Sequence, residues 1–131
     1  MTDTQPLILL VDDEAAFREI FSLKLSAEGF KIETAEDGVQ GIARAKELQP
    51  DLILMDVKMP NMDGATVVVK LKEDPATANL RVVYLTSLGD FGEGGEEQDR
   101  RFAVTSGAVG YIRKTEDLKK VVASVKSFLS Q

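Results

Sequence analysis

Asp12 and Asp13 close one apolar run of this chain and Asp56 closes a second, while Thr86 ends a third and Lys114 follows a fourth. A carboxylate at the end of an apolar run is costly unless it is paired. Carboxylates gathered within a few ångströms repel, so one takes up a proton unless a cation neutralises the group. Mg²⁺ suits such a set, because it takes oxygen ligands, keeps several waters and binds through one or two carboxylates plus a phosphate oxygen. A carboxylate beside the ion can act as a nucleophile toward phosphorus and form an aspartyl phosphate. In phosphoryl transfer the protein mainly supplies positioning and charge compensation, which Mg²⁺ and one Lys ammonium provide. The chain has no His and no Cys. An imidazole base, a thiol nucleophile, a zinc finger and a disulfide scaffold are therefore all excluded.

These residues can meet only if the elements before them are parallel strands. Leu7–Val11, Leu52–Met55 and Val82–Leu85 are continuous apolar segments of strand length, as strands covered on both faces read. Lys31–Ala35 alternates and suits an edge strand, and Gly110–Arg113 is a short fifth candidate. Between them lie helical patterns. Glu14–Glu28 carries Phe17, Ile20, Phe21 and Leu25 and stops at Gly29. Gly38–Leu48 carries Val39, Ile42, Ala43 and Leu48, and Asp117–Leu129 keeps apolar residues at helical spacing throughout. Gly64–Glu73 has the run Val67-Val68-Val69, of middling helix propensity, with Asp63 as its N-cap. Glu97–Ser106 is a further helix. Five β-α units give an α/β fold, a parallel sheet with helices on both faces. In such sheets ligands bind beyond the carboxyl ends of the strands, where Asp12, Asp13, Asp56, Thr86 and Lys114 stand.

Composition narrows the classes further. The 131 residues suit one domain, with 16 basic and 22 acidic side chains and a net charge of −6. That balance argues against nucleic acid as a partner of this chain by itself. The longest apolar run, Leu7–Val11, is too short to span a bilayer, and no signal peptide or anchor is visible, so a cytoplasmic protein is expected. The stretch around 88–96, rich in Gly and acid, reads as a surface-loop insertion.

Asp12-Asp13-Glu14, the segment Met55–Gly64 around Asp56, Thr86, and the segment Gly107–Lys114 resemble the receiver domain of bacterial response regulators, over essentially the whole chain. The resemblance implies a flavodoxin-like, doubly wound sheet of order 2-1-3-4-5 with five helices on both faces, and a single receiver domain over residues 1–131. It implies that Asp56 accepts a phosphoryl group from a sensor histidine kinase or phosphotransfer protein in a two-component system. It further implies Mg²⁺ on Asp13, Asp56 and the backbone carbonyl of Lys58, with Asp12 holding the metal's waters. Lys114 would pair with the phosphoryl oxygens, Thr86 would swing toward them, and Tyr111 would turn inward. That movement repacks the face of the last two helices and strand five, where a downstream protein target docks and a homodimer can form. The chain would catalyse only its own phosphorylation and dephosphorylation, and so would not count as an enzyme.

Several residues depart from that family's pattern. Thr115 follows Lys114 where a Pro in a cis peptide is usual, which leaves the geometry open between trans and cis. Ser87 replaces a small Ala after the strand-four hydroxyl, and Lys58 and Leu88 stand where the family tunes attacking water. Asp12 and Asp13 also suit capping of the first helix, and Tyr111 also suits a core. The first reading is a stand-alone phosphorylation switch. Its alternatives are a receiver excised from a larger DNA-binding regulator or hybrid kinase, and an aspartyl-phosphate phosphohydrolase. The last wants an acid/base Asp two residues after the nucleophile, where Lys58 stands.

Overall fold

A computed structural model of the chain describes residues 5–87, 90 and 95–131, with the side chains of 95–99 left aside. Most of the stretch 88–96 expected as an insertion, including Leu88 and Phe91, lies outside the described residues. The elements alternate as β1 (Leu7–Val11), α1 (Ala15–Ala27), β2 (Lys31–Ala35), α2 (Gly38–Leu48), β3 (Leu52–Asp56), α3 (Gly64–Glu73), β4 (Val82–Thr86), α4 (Gly95–Ser106), β5 (Gly110–Arg113) and α5 (Leu118–Leu129). All strand pairs are parallel, in the order β2-β1-β3-β4-β5. Every residue of β3 and β4 is buried, whereas the edge strands β2 and β5 are mostly half-buried.

Strand side chains alternate between two apolar layers. Leu9, Val11, Ile53, Met55, Val82 and Tyr84 pack with Val67, Val68 and Leu71 of α3 and with Ala45 of α2 and Ala103 of α4. Ile8, Leu10, Leu54, Val83, Leu85 and Ile112 pack on the other face with Phe21 and Leu25 of α1 and Val121, Val122 and Val125 of α5. The valine run is a helix, as expected. Asp63 accepts a hydrogen bond from the Thr66 N–H, and two of the three valines are fully buried against the sheet. Burying such side chains contributes roughly 1.5–3 kcal/mol each, more than their small propensity deficit.

Three apolar residues expected on core faces lie elsewhere. Ile20 is 54% exposed and Val39 65% exposed, and Ala43 faces outward. The inward face of α2 carries buried Gly38, Gly41 and Ala45, with Ile42 and Leu48 partly buried against the same core, Gly38 lying against Val67 and Met62. A Cβ on Gly41 would lie 3.0 Å from Val11 Cγ1, so the small residue allows helix and strand to come close. No described peptide bond is cis, so Lys114–Thr115 is trans.

Candidate functional site

Asp12 follows β1 directly, and Asp56 is the last residue of β3, its neighbour in the sheet. Both are buried, at 0% and 3% exposure, while Asp13 faces solvent. One oxygen from each of Asp12, Asp13 and Asp56 lies within 4.8 Å of the other two. Lys114, one residue past β5, reaches over them. Its Nζ is 2.8 Å from Asp12 Oδ2, 2.9 Å from Glu14 Oε1 and 3.6 Å from Asp56 Oδ1. The lysine is aimed from its main chain, where the Lys114 N–H donates to the Thr86 carbonyl at 2.8 Å. Asp12 does not cap the first helix, whose N-cap is Glu14; its Oδ1 accepts the Glu14 N–H at 2.8 Å in an Asx turn that leads into α1.

The electrostatics follow from burial. Desolvation and the neighbouring Asp12 push the Asp56 carboxyl up to about 7, with Asp13 adding to the rise and Lys114 opposing it. Burial also raises Asp12, against the pull of Lys114. Burial works against the Lys114 charge, yet its contacts with Asp12, Glu14 and Asp56 prevail and hold the ammonium above its ordinary value. One lysine thus leaves the three acids undercompensated. Asp12 Oδ2, in ion-pair contact with Lys114, accepts no aligned hydrogen bond among the described residues. Buried oxygen donors with unbalanced negative charge fit a small hard cation such as Mg²⁺.

Thr86 ends β4 fully buried, and its Oγ1 lies 3.4 Å from Arg113 Nη1, which also reaches the Ser87 carbonyl at 3.3 Å. Tyr111 is half-buried at the edge of the α2-α3-α4 layer, with the Arg113 guanidinium 5.6 Å from its ring centroid. The Lys58 side chain is exposed. The Ser87 N–H donates to Asp90 at 2.6 Å.

Two participants were not assigned a role from sequence. Glu14 pairs with Lys114 across 100 positions of chain, and Arg18 donates to the Asp12 carbonyl at 2.7 Å. Arg18 stands one helical turn beyond Glu14, a spacing visible in the sequence. Gly64 is tied to the site by close approach: a Cβ there would lie 2.3 Å from the Asp56 carbonyl oxygen.

The model of the response regulator receiver domain family matches residues 8–126. The DNA-binding dual master transcriptional regulator RpaA of Synechocystis is 38% identical over 95% of this chain and 49% of its own length. Response regulator PleD of Caulobacter vibrioides is 42% identical over 92% of this chain and 25% of its own. The chain therefore spans half or less of the length of these relatives. Among solved structures, a putative response regulator from Chloroflexus aurantiacus superposes with a TM-score of 0.84 at 25% identity, covering 98% of this chain and 100% of that one. The chemotaxis response regulator CheY4 of Vibrio cholerae gives 0.82 at 26% identity over 95% and 98%.

Proposed function

Because this chain belongs to the response regulator receiver domain family, we propose that it is a phosphorylation-controlled switch whose phosphoacceptor is Asp56. The observation that carries this reading is the meeting of Asp12, Asp13 and Asp56 within 4.8 Å beneath the Lys114 ammonium. An Asp56 oxygen attacks the phosphorus of a donor, a phosphohistidine of a sensor kinase or a small acyl phosphate. A new O–P bond forms as the donor's P–N or P–O bond breaks, and the donor leaves with its electron pair. The attacking carboxylate must be ionised, which its burial and the Asp12 charge oppose.

Asp13, Asp56 and the Lys58 carbonyl are the proposed ligands of Mg²⁺, with Asp12 on its waters. When bound, the ion supplies charge compensation for the carboxylates and the transferring phosphoryl group. Lys114 supplies the remaining positive charge and holds a phosphoryl oxygen once it lets go of Asp12 or Glu14. Thr86 is proposed to turn toward the phosphoryl group and Tyr111 to move inward with it, repacking α4, β5 and α5 for a downstream protein or a second phosphorylated copy. Such a domain carries out only its own phosphorylation and hydrolysis, as one unit over residues 1–131. Among the described residues no helix is long and apolar enough to cross a membrane, which supports a cytoplasmic site of action.

Offering Mg²⁺ and a small acyl-phosphate donor tests the reading. The chain should gain one phosphoryl mass and Asp56→Asn none, and an equal gain in both would place the nucleophile elsewhere. The lengths of the relatives also favour a second reading, in which the domain works attached to an output module. An antibody to the domain, used on lysate of the source cells, separates the two by the size of the band.

A further inference from the structure

The Lys114 ammonium has a fourth neighbour besides its three carboxylates. Its Nζ lies 4.3 Å from the centroid of the Phe17 ring, in the first turn of α1. That ring is held from beneath by Phe21, whose centroid is 4.0 Å away and which is 2% exposed. Glu14, the N-cap residue of α1, makes no side-chain cap bond and turns its carboxylate to Lys114 instead. The Glu14 side chain is 66% exposed, whereas that of Lys114 is only 10% exposed. The first turn of α1 thus offers the ammonium two opposed partners, a solvent-facing carboxylate and an aromatic face turned toward the acid cluster.

A lysine ammonium is a compact charge on a flexible stem, so its position depends on what surrounds it. The negative face of an aromatic ring attracts such a cation most strongly where water is kept away. We propose that Phe17 is a positioning residue for phosphoryl transfer: its ring face keeps the Lys114 ammonium over the acid cluster, within reach of Asp56, against the outward pull of Glu14. The inference rests on Asp56 as phosphoacceptor. A leucine at position 17 would fill much of the same space but has no charged face to offer. A tyrosine would keep the ring and its quadrupole.

The test follows phosphoryl gain from a small acyl-phosphate donor at saturating Mg²⁺, beside proton NMR of the Lys114 side chain. In the unmodified chain the Lys114 ε-methylene resonances should be displaced upfield by the ring current. Phe17→Leu should return them to ordinary positions and lower the maximal rate roughly 5- to 10-fold, with Mg²⁺ affinity changed less than about twofold. Phe17→Tyr should restore both the displaced resonances and the rate. Undisplaced Lys114 resonances in the unmodified chain would overturn the proposal. So would an unchanged rate in Phe17→Leu, or a parallel loss of rate and Mg²⁺ affinity in Phe17→Leu and Phe17→Tyr alike. Should Asp56→Asn gain phosphoryl as readily as the unmodified chain, the phosphoacceptor reading fails, while the resonances still report whether the ring holds the amine.

Discussion

Two groups of side chains share the carboxyl rim of the sheet and are held in different ways. Over β1 and β3, Asp12 and Asp56 are buried and bound at short range to Lys114, with contacts of 2.8 and 3.6 Å. Over β4 and β5, buried Thr86 meets Arg113 at 3.4 Å, and Arg113 stands 5.6 Å from the Tyr111 ring centroid. The first group stores unbalanced charge in a fixed place. The second has longer contacts at Thr86, which the proposed switch would rearrange when a negative charge arrives nearby. The proposed switch would need both, a site whose geometry stays put and a neighbour that moves, and the backbone bond from the Lys114 N–H to the Thr86 carbonyl links the two groups.

The largest effect expected comes from removing the charge that the first group stores. The Asp56 carboxyl lies at about 7 against an ordinary value of 3.8. Between those values the folded chain keeps a proton that the unfolded chain has lost, so this group's contribution to stability falls as pH rises and levels off above the window. Without divalent cation, Asp56→Asn should match the unmodified chain near pH 4 and exceed it near pH 8 by up to roughly 4 kcal/mol. Denaturant unfolding in the presence of a chelator reads the difference, and a gap independent of pH would show that the carboxyl is not held up by burial and Asp12. Lys114→Met acts in the opposite direction. Leaving buried Asp12 and Asp56 without their cation should cost about 2–3 kcal/mol at neutral pH, and the loss should shrink in acid as the carboxyls take up protons.

Gly64→Ala tests whether the fixed group depends on main-chain placement as well as on charge. The added methyl would meet the Asp56 carbonyl at 2.3 Å, so backbone has to move at a cost of about 1–3 kcal/mol. That loss should be the same at about pH 4 and pH 8, unlike the two charge variants, and a pH-dependent loss would mean the methyl acts by moving the carboxylates.

The five strands were legible to within one residue, because runs such as Leu52–Met55 are apolar, and β3 and β4 each extend one residue further, to Asp56 and Thr86. α2 and α3 kept both their ends, while the other helices moved by one or two residues, α4 beginning at Gly95 rather than Glu97, where end turns are least determined. Ile20 and Val39 were misread as core. A short amphipathic window leaves the helix phase free, and the close packing of Gly38 and Gly41 that decides it is a tertiary fact. Asp12, Asp13, Asp56 and Lys114 were legible as a group because strand ends in a parallel sheet must share a rim. The Glu14 and Phe17 contacts with Lys114 were not, since they depend on how a flexible lysine lies. Arg113 over Thr86 required the β4–β5 register, which no local pattern supplies.

The smallest effect expected lies on the side proposed to move, and its smallness is the point of the contrast. Arg113 is half-buried, and its bonds to Thr86 Oγ1 and the Ser87 carbonyl are 3.4 and 3.3 Å long. Bonds this long from a partly solvated guanidinium contribute little, so the loss of these two in Arg113→Ala should change stability by less than about 0.5 kcal/mol. The methyl group of Thr86 should nonetheless become more mobile by NMR relaxation, because the cation that faces its hydroxyl is gone, while the Lys114 side-chain resonances stay where they were. A stability loss above about 1 kcal/mol, or Lys114 resonances that move with those of Thr86, would mean that the two groups form one rigid network. The movable element would then have to be sought in α4 rather than at the end of β4.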